Sequence, residues 1–153
     1  MQRIFHTPEG VRDIYSQECS RKQKLQEKLH RVFHQYGFED IETPTFEYFE
    51  VFSKEVGTIP SRELYKFFDR EGNTLVLRPD FTPSVSRACA TYFNPEKEVV
   101  SLCYTGNTFI NNSSFRGRLK ETTQMGVERM GDDSPEADAE ILAMTVECLL
   151  ATG

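Results

Sequence analysis

The sequence lacks several features that mark special classes of protein. It contains no tryptophan, and none of its apolar runs approaches the length of a membrane span. The first ten residues, MQRIFHTPEG, lack the apolar block of a secretory signal peptide. No internal repeat and no low-complexity tract is visible. These absences argue against a membrane, secreted or repeat protein, and we expect a cytoplasmic protein without a membrane partner.

The chain also lacks an excess of positive charge. The chain has 18 Lys and Arg against 24 Asp and Glu, which gives a net charge of −6. Proteins that bind nucleic acid through its phosphates usually carry an excess of basic residues, so nucleic acid is not an expected partner. With 153 residues, 38% of them apolar and 27% charged, the chain has the composition of one globular domain with a core of its own.

The cysteines show no metal-binding spacing. They are scattered and include no CxxC pair: Cys19, Cys89, Cys103 and Cys148. Reduced thiols in a cytosolic chain are the simplest account of this pattern. His30 and His34 stand four residues apart, a spacing that suits a metal on a helix. Because no carboxylate or cysteine follows at a matching spacing, the sequence predicts no metal site, and nothing in it calls for a cofactor.

A long β-hairpin is the most prominent feature that the sequence does contain. Its arms are residues 102–109 and 119–130, and the connecting stretch INNSSFRGR is rich in turn-forming residues. Strand alternation divides the second arm into two faces, with Gln124, Gly126 and Glu128 on one and Thr123, Met125 and Val127 on the other. A glycine between two polar side chains suits either a solvated sheet face or a cleft that a ligand approaches closely.

Helical periodicity predicts a first helix over residues 17–36. Ser16 is placed to cap its start and Gly37 to end it. The predicted buried stripe consists of Leu25, Leu29, Val32, Phe33 and Tyr36. The opposite face is basic; solvent exposure explains it more simply than RNA contact.

The middle of the chain alternates short strands and helical stretches. A strand over residues 38–43 is expected to end at Pro44. Phe46, Phe49 and Phe52 then follow at helical spacing and are predicted to pack in the core or at an interface. A second hairpin is predicted from residues 64–68 and 74–77, which flank the turn sequence DREGN.

Two further helix starts are visible. Thr82 followed by Pro83 predicts one, and this places Asp80 between a strand and a helix, as either a ligand contact or a turn acceptor. Ser134 followed by Pro135 predicts the start of the last helix. Its predicted buried residues are Ile141, Leu142, Val146, Leu149 and Leu150. Together these elements predict an α+β fold in which helices flank an antiparallel sheet built largely of hairpins.

The motifs, in their order, resemble a known family. TPEGVRDI, IETPTFE, YKFFDREGNTLVLRPDFTP, YTGNTF, RGRLKETTQMGVERMG and DSPEADAEI resemble the first half of the catalytic core of histidyl-tRNA synthetase, a class II enzyme. LRPDFTPSVSR and YTGNTF resemble more closely its non-charging paralogue, the regulatory subunit of ATP phosphoribosyltransferase. The resemblance runs from Thr7 to Gly153. It implies a class II core over residues 1–153 that is truncated before motif 3.

The resemblance also implies residue roles. Pro44 would belong to motif 1, which forms a homodimer interface, and the long hairpin would be motif 2. The positions that hold the amino acid in the synthetase are occupied by Asp80, Thr82, Gln124 and Glu128, which are therefore the predicted histidine-binding residues. Carboxylate and amide oxygens are suitable acceptors for an ammonium group and an imidazole N–H.

The departures from the synthetase concern the nucleotide. Ile110 stands where a charging enzyme has the arginine that holds the ATP α-phosphate, and Asn112 stands in the place of a glutamate. Losing one electrostatic contact of this kind costs about 3–4 kcal/mol of transition-state stabilisation. Arg116 and Arg118 remain near the hairpin tip as possible phosphate contacts. The resemblance therefore implies a retained amino-acid pocket, a lost nucleotide pocket and no catalytic residues.

The resulting prediction is a non-catalytic regulatory subunit. It would assemble with the catalytic ATP phosphoribosyltransferase subunit in a hetero-oligomer of histidine biosynthesis, with histidine as a possible ligand and regulator. The alternative is a histidyl-tRNA synthetase, or a fragment of one, that activates histidine for tRNA charging. A third reading is an isolated piece of the fold that exposes apolar area and dimerises to cover it.

Overall fold

A computed structural model of the chain describes residues 5–53, 59–112 and 117–153. Within these ranges the elements are, in order, α1 Ser16–Gln35, β1 Glu39–Asp40, β2 Phe46–Tyr48, α2 Phe49–Ser53, a 3₁₀ turn Ser61–Glu63, β3 Lys66–Phe68, β4 Thr74–Leu77, α3 Thr82–Tyr92, β5 Val100–Phe109, β6 Glu121–Met130 and α4 Pro135–Thr152. None of the helices in the described ranges has both the length and the apolar character that crossing a membrane requires.

The strands form two three-stranded sheets, in the orders β1-β5-β6 and β2-β4-β3. Both predicted hairpins are present, β3–β4 and β5–β6, and the α+β prediction is confirmed. The pairing of β1 with β5 is parallel and was not expected from the sequence, which predicted an antiparallel sheet built largely of hairpins. A parallel pair needs a long crossover, and residues 41–99, which contain the whole second sheet and α3, provide one.

The β5–β6 hairpin separates two hydrophobic clusters. One face packs on α3 through Phe81, Val85, Cys89, Val100, Leu102 and Tyr104. The opposite face packs on α1 and α4 through Val32, Phe33, Phe38, Cys103 and Met144, with Met125 and Val127 against them. The predicted alternation along β6 is therefore correct. Gln124, Gly126 and Glu128 are half-buried on the α3 side, so the alternative of a fully solvated sheet face is wrong.

The ends of α1 agree only in part with the prediction. Gly37 has a φ of +78°, as expected for the glycine that ends a helix. Ser16 is not the N-cap, because the helix begins one residue earlier than predicted. The N-cap position is Tyr15, which makes no side-chain cap. Within the predicted stripe, Val32 and Phe33 are buried, whereas Leu25 is exposed.

The three phenylalanines at helical spacing do not share a helix. Phe46 lies in β2, pairs with β4 and remains half exposed against the edge of Phe67. Only Phe49 and Phe52 belong to α2. The strand pairing of β2 with β4 overrides the local helical spacing, which is a common reason for an error in a short segment. The strand predicted over residues 38–43 is confined to β1.

The start of α4 is as predicted, but its buried face is not. Ser134 Oγ accepts a hydrogen bond of 3.2 Å from the N–H of Ala137, so Ser134 is the N-cap. The helix buries Ala137 and Met144 and leaves the following apolar residues 56–77% exposed: Leu142, Val146, Leu149 and Leu150. Because α4 is apolar around much of its circumference, spacing alone does not identify the face that meets α1.

Candidate functional site

The predicted ligand site lies between β4 and α3 and faces β6. Asp80 follows β4 directly, and its Oδ1 accepts a hydrogen bond of 2.7 Å from the N–H of Phe81. The same oxygen also accepts a longer hydrogen bond, of 3.4 Å, from Nε2 of Gln124 in β6. Asp80 is therefore a turn acceptor, one of the two alternatives considered from the sequence, and it also faces the hairpin. The ligand contact stays a prediction.

Thr82 connects the start of α3 to Glu128. Its hydroxyl donates a hydrogen bond of 2.6 Å to Glu128 Oε1. The helix begins at Thr82 as predicted, but the Thr82 hydroxyl does not cap it, because the N-cap position is Phe81 and no side-chain cap is made there. The threonine hydroxyl instead orients a carboxylate that lies 46 residues further along the chain.

The four predicted residues thus come together as two bonded pairs, Asp80 with Gln124 and Thr82 with Glu128. Each carboxylate uses one oxygen in these contacts. In the part of the chain that the structure describes, Asp80 Oδ2 and Glu128 Oε2 accept no hydrogen bond, so each retains an acceptor for a cation. Two half-buried carboxylates with free oxygens form an acceptor pair that suits an ammonium group.

An open cleft of about 550 Å³ lies beside this cluster. Its lining residues are Glu50, Val51, Asp80, Thr82, Pro83, Ser86 and Arg87. Asp80 and Thr82 thus line the cleft directly. Gln124 and Glu128 do not line the cleft themselves. They form hydrogen bonds to the two residues that do, Gln124 to Asp80 and Glu128 to Thr82. The size suits a ligand as small as an amino acid.

Tyr104 belongs to the site although the sequence did not single it out. Its hydroxyl lies 3.4 Å from Glu128 Oε1 and its ring stacks on Phe81, with centroids 4.4 Å apart. Burial first, and then the nearby charges of Glu128 and Asp80, raise the pKa of Tyr104, so the phenol keeps its proton and acts as a donor. The signal that could have found it is its cross-strand register with Gly126.

The glycine between Gln124 and Glu128 leaves room for Tyr104. A Cβ added at Gly126 would lie 2.6 Å from Tyr104 Cζ, well inside contact distance. The sequence predicted that something approaches the backbone here. Among the described residues, the approaching group is the tyrosine ring, which fixes the position of the phenol beside Glu128.

Arg78 is a second residue that sequence reasoning missed. It is 7% exposed, and its guanidinium donates to three backbone carbonyls, those of Thr43 (2.9 Å), Pro44 (3.2 Å) and Asn107 (2.9 Å). It also lies over the ring of Phe81, 4.0 Å from the centroid. Burial lowers the pKa of Arg78. Its partners are all parts of the scaffold, so Arg78 supports the site and does not offer a ligand contact.

Of the positions expected to contact a nucleotide, Ile110 and Asn112 form hydrogen bonds within the hairpin, and Arg118 is exposed. Ile110 joins the strand ends through its N–H, which donates to the carbonyl of Lys120 at 2.9 Å. The amide of Asn112 donates to the carbonyl of Leu119 at 3.3 Å. Arg118 is exposed and forms no hydrogen bond or ion pair with the described residues. The other predicted phosphate contact, Arg116, lies outside the described residues.

The fold and the sequence motifs define a class II core of the histidyl-tRNA synthetase type. The family profile described as histidyl-tRNA synthetase matches residues 10–153, and the chain belongs to this family. Relatives named ATP phosphoribosyltransferase regulatory subunit, from Ruminiclostridium cellulolyticum and Acetivibrio thermocellus, are 44% and 43% identical over 149 residues, which cover 97% of this chain and 36% of each relative.

A solved structure supports the same assignment. The crystal structure of an ATP phosphoribosyltransferase regulatory subunit/histidyl-tRNA synthetase from Bacillus halodurans superposes with a TM-score of 0.86 at 32% identity, covering 100% of this chain and 39% of that one. The resemblance and the fold class inferred from the sequence are confirmed. The chain spans about a third of the length of the curated relatives it matches.

Proposed function

We propose that this chain belongs to a regulatory subunit of ATP phosphoribosyltransferase and carries the part that senses histidine. The proposal rests on one contrast within the class II core. Two carboxylates retain free oxygens beside a cleft, whereas the position of the α-phosphate arginine is held by the hydrocarbon side chain of Ile110. The names of the relatives at 43–44% identity support the regulatory reading over tRNA charging.

The proposed ligand contacts follow from the free acceptors. The ammonium group of histidine would lie between Asp80 Oδ2 and Glu128 Oε2 and form charge-assisted hydrogen bonds to both. The hydroxyls of Thr82 and Tyr104 hold the other oxygen of Glu128, so that its carboxylate is oriented before the ligand arrives. Such preorganisation reduces the entropic cost of binding a small ligand.

The proposed regulation works through assembly. The subunit would bind the catalytic phosphoribosyltransferase subunit in a cytoplasmic hetero-oligomer and would contribute no catalytic residue itself. Histidine would shift the balance between two states of the assembly by binding one of them more tightly. The loop with Pro44, between β1 and β2, is the proposed homodimer contact.

Histidine binding is tested by calorimetry on this chain and on the full-length protein. We expect Asp80→Asn and Glu128→Gln each to weaken binding at least tenfold, because each removes a charge-assisted contact worth about 1.5–3 kcal/mol. Glu71→Gln is the matched control, since it removes the same charge from the exposed β3–β4 turn. Equal affinities in all three variants, or no histidine binding by the full-length protein, would contradict the proposed pocket.

The regulatory role is tested by assaying the catalytic subunit with and without the full-length regulatory protein. We expect activity to rise on addition and to become sensitive to histidine. The synthetase alternative is tested in parallel by histidine-dependent pyrophosphate exchange. Exchange above background would show that an adenylate forms despite Ile110, and would replace the regulatory proposal with tRNA charging.

A further inference from the structure

A cluster of four metal-ligating side chains lies on the face of the hairpin opposite the candidate pocket. It consists of His30, His34, Asp40 and Cys103, and one ligand atom from each lies within 4.8 Å of those of the others. His30 and His34 come from α1, Asp40 from β1 and Cys103 from β5. We propose that these four residues form a tetrahedral Zn²⁺ site.

The topology explains why the four side chains meet. The parallel pairing of β1 with β5 places Asp40 directly beside Cys103, and neighbouring residues in register project from the same face of a sheet. Helix α1 packs over this face. His30 and His34 are one helical turn apart, so their rings lie side by side, with centroids separated by 4.2 Å, above Asp40.

Asp40 is the centre of the cluster. Its Oδ1 lies 2.5 Å from His30 Nε2 and 3.4 Å from Cys103 Sγ, and its Oδ2 lies 3.0 Å from His34 Nε2. Zinc–ligand bonds of about 2.0–2.3 Å place tetrahedral donor atoms roughly 3.3–3.6 Å apart. No two of these ligand atoms lie more than 4.8 Å apart, so changes in side-chain torsion angles would bring the hydrogen-bonded cluster into a coordination shell.

The donor set favours Zn²⁺ over Mg²⁺ and Ca²⁺. Two imidazoles, a thiolate and a carboxylate match the ligands that Zn²⁺ takes in proteins, whereas Mg²⁺ and Ca²⁺ require oxygen ligands. The side chains of His30, His34 and Asp40 are 37%, 45% and 56% exposed, and Cys103 is buried beneath them. The cation enters from solvent, and the thiol releases its proton to solvent as the metal–sulfur bond forms.

The sequence predicted no metal site because no carboxylate or cysteine follows the two histidines at a matching spacing. A carboxylate and a cysteine do accompany the two histidines, but they lie elsewhere in the chain. Asp40 is 10 residues beyond His30, and Cys103 is a further 63 residues away. A bound Zn²⁺ would tie α1, β1 and β5 together at one point, which predicts a structural role for the ion.

The site is tested with Zn²⁺ and Co²⁺ alone. We expect one Zn²⁺ per chain in competition with a chromophoric chelator. Co²⁺ should give a thiolate-to-metal charge-transfer band together with the visible bands of tetrahedral coordination. His30→Asn and His34→Asn, both at partly exposed positions, should each weaken Zn²⁺ binding at least tenfold, because each removes a ligand. Cys103→Ser should abolish the charge-transfer band.

Matched controls exist for both ligand types. His6→Asn removes the only other histidine, and Cys19→Ser removes a partly exposed thiol elsewhere on the surface. Both should bind one Zn²⁺ with unchanged affinity. Because Cys103 is buried, far-ultraviolet circular dichroism checks that its variant is folded, and the histidine variants carry the test if it is not. A chain that binds no Zn²⁺, or histidine variants that bind it as tightly as the original, would overturn the proposal.

Discussion

At the scale of single residues, the candidate pocket depends on the fit between Gly126 and Tyr104. The two residues face each other across the β5–β6 hairpin, and the tyrosine ring occupies the space above the glycine. The same ring stacks on Phe81 and directs its hydroxyl to Glu128. A side chain at position 126 would therefore disturb the packing of the site and the orientation of the carboxylate together.

We expect Gly126→Ala to lower the free energy of unfolding by about 1–3 kcal/mol, because the added methyl overlaps the tyrosine ring. The measurement is urea denaturation of the single variants and of a Gly126→Ala/Tyr104→Leu double variant. Shortening residue 104 should relieve the overlap, so the alanine should cost less in the double variant. An equal cost in both backgrounds would mean that Tyr104 is not what restricts position 126.

At the scale of elements, α4 shows how local signals determine where a helix begins. Ser134 caps its first turn, whereas Ser16, the serine predicted to cap α1, makes no such bond. The two serines differ in whether the hydroxyl reaches an unpaired backbone N–H at the helix start, so only Ser134 stabilises its helix by capping.

Ser134→Ala should lower the free energy of unfolding by about 1 kcal/mol, because the N–H of Ala137 loses its acceptor. Ser16→Ala is the matched control and should change stability by less than about 0.5 kcal/mol, since it removes no cap. Denaturant titration of both variants measures the difference. A larger loss of stability in the Ser16 variant would contradict these assignments, because it would mean that Ser16 caps its helix and Ser134 does not.

The start of α4 also predicts a pH dependence. Hydrogen bonds from Ser134, and then the charge of Arg129, lower the pKa of Asp132. A carboxyl group whose pKa is lower in the folded state stabilises the fold above its ordinary value of 3.8, and this contribution is lost as the pH falls below it. Asp132→Asn should therefore flatten the loss of stability in acid below about pH 4, measured by thermal melting across a pH series. A curve parallel to that of the original chain would contradict this assignment.

At the scale of the whole molecule, Arg78 connects the two sheets. It follows β4 of one sheet, and its guanidinium donates to the carbonyl of Asn107 in β5 of the other. It also holds the loop between β1 and β2 through the carbonyls of Thr43 and Pro44. Because that loop carries the proposed dimer contact, the same side chain supports both the candidate pocket and the proposed interface.

Arg78→Lys should lower the free energy of unfolding by about 2–4 kcal/mol, because one ammonium cannot reach three carbonyls in the geometry of a planar guanidinium. Arg70→Lys, in the exposed β3–β4 turn, makes the same exchange with no buried partner and should be neutral. Chemical denaturation of the two variants distinguishes them. A neutral Arg78→Lys would show that the buried hydrogen bonds contribute little.

Local signals in the sequence predicted the features of the molecule that depend on neighbouring residues. Period-two alternation identified both faces of β6, and Ser134 with Pro135 marked the start of α4. The parallel pairing of β1, the metal-ligating cluster and the buried face of α4 depend on which elements meet, and that information is spread over the whole chain. Alternation placed Gln124 and Glu128 on one face, and the family resemblance predicted them as ligand contacts. The contact of Tyr104 with Glu128 became visible only in the structure.

Adjacent residues in β5 belong to opposite sides of the molecule. Cys103 lies beneath the two histidines of α1, and Tyr104 points toward the carboxylate of Glu128. Deleting one residue of β5 ahead of this pair would move each following side chain to the opposite face of the sheet, so that the thiol and the phenol would exchange sides. The central strand therefore cannot change in length by an odd number of residues, and insertions compatible with both sites belong in the connecting turn.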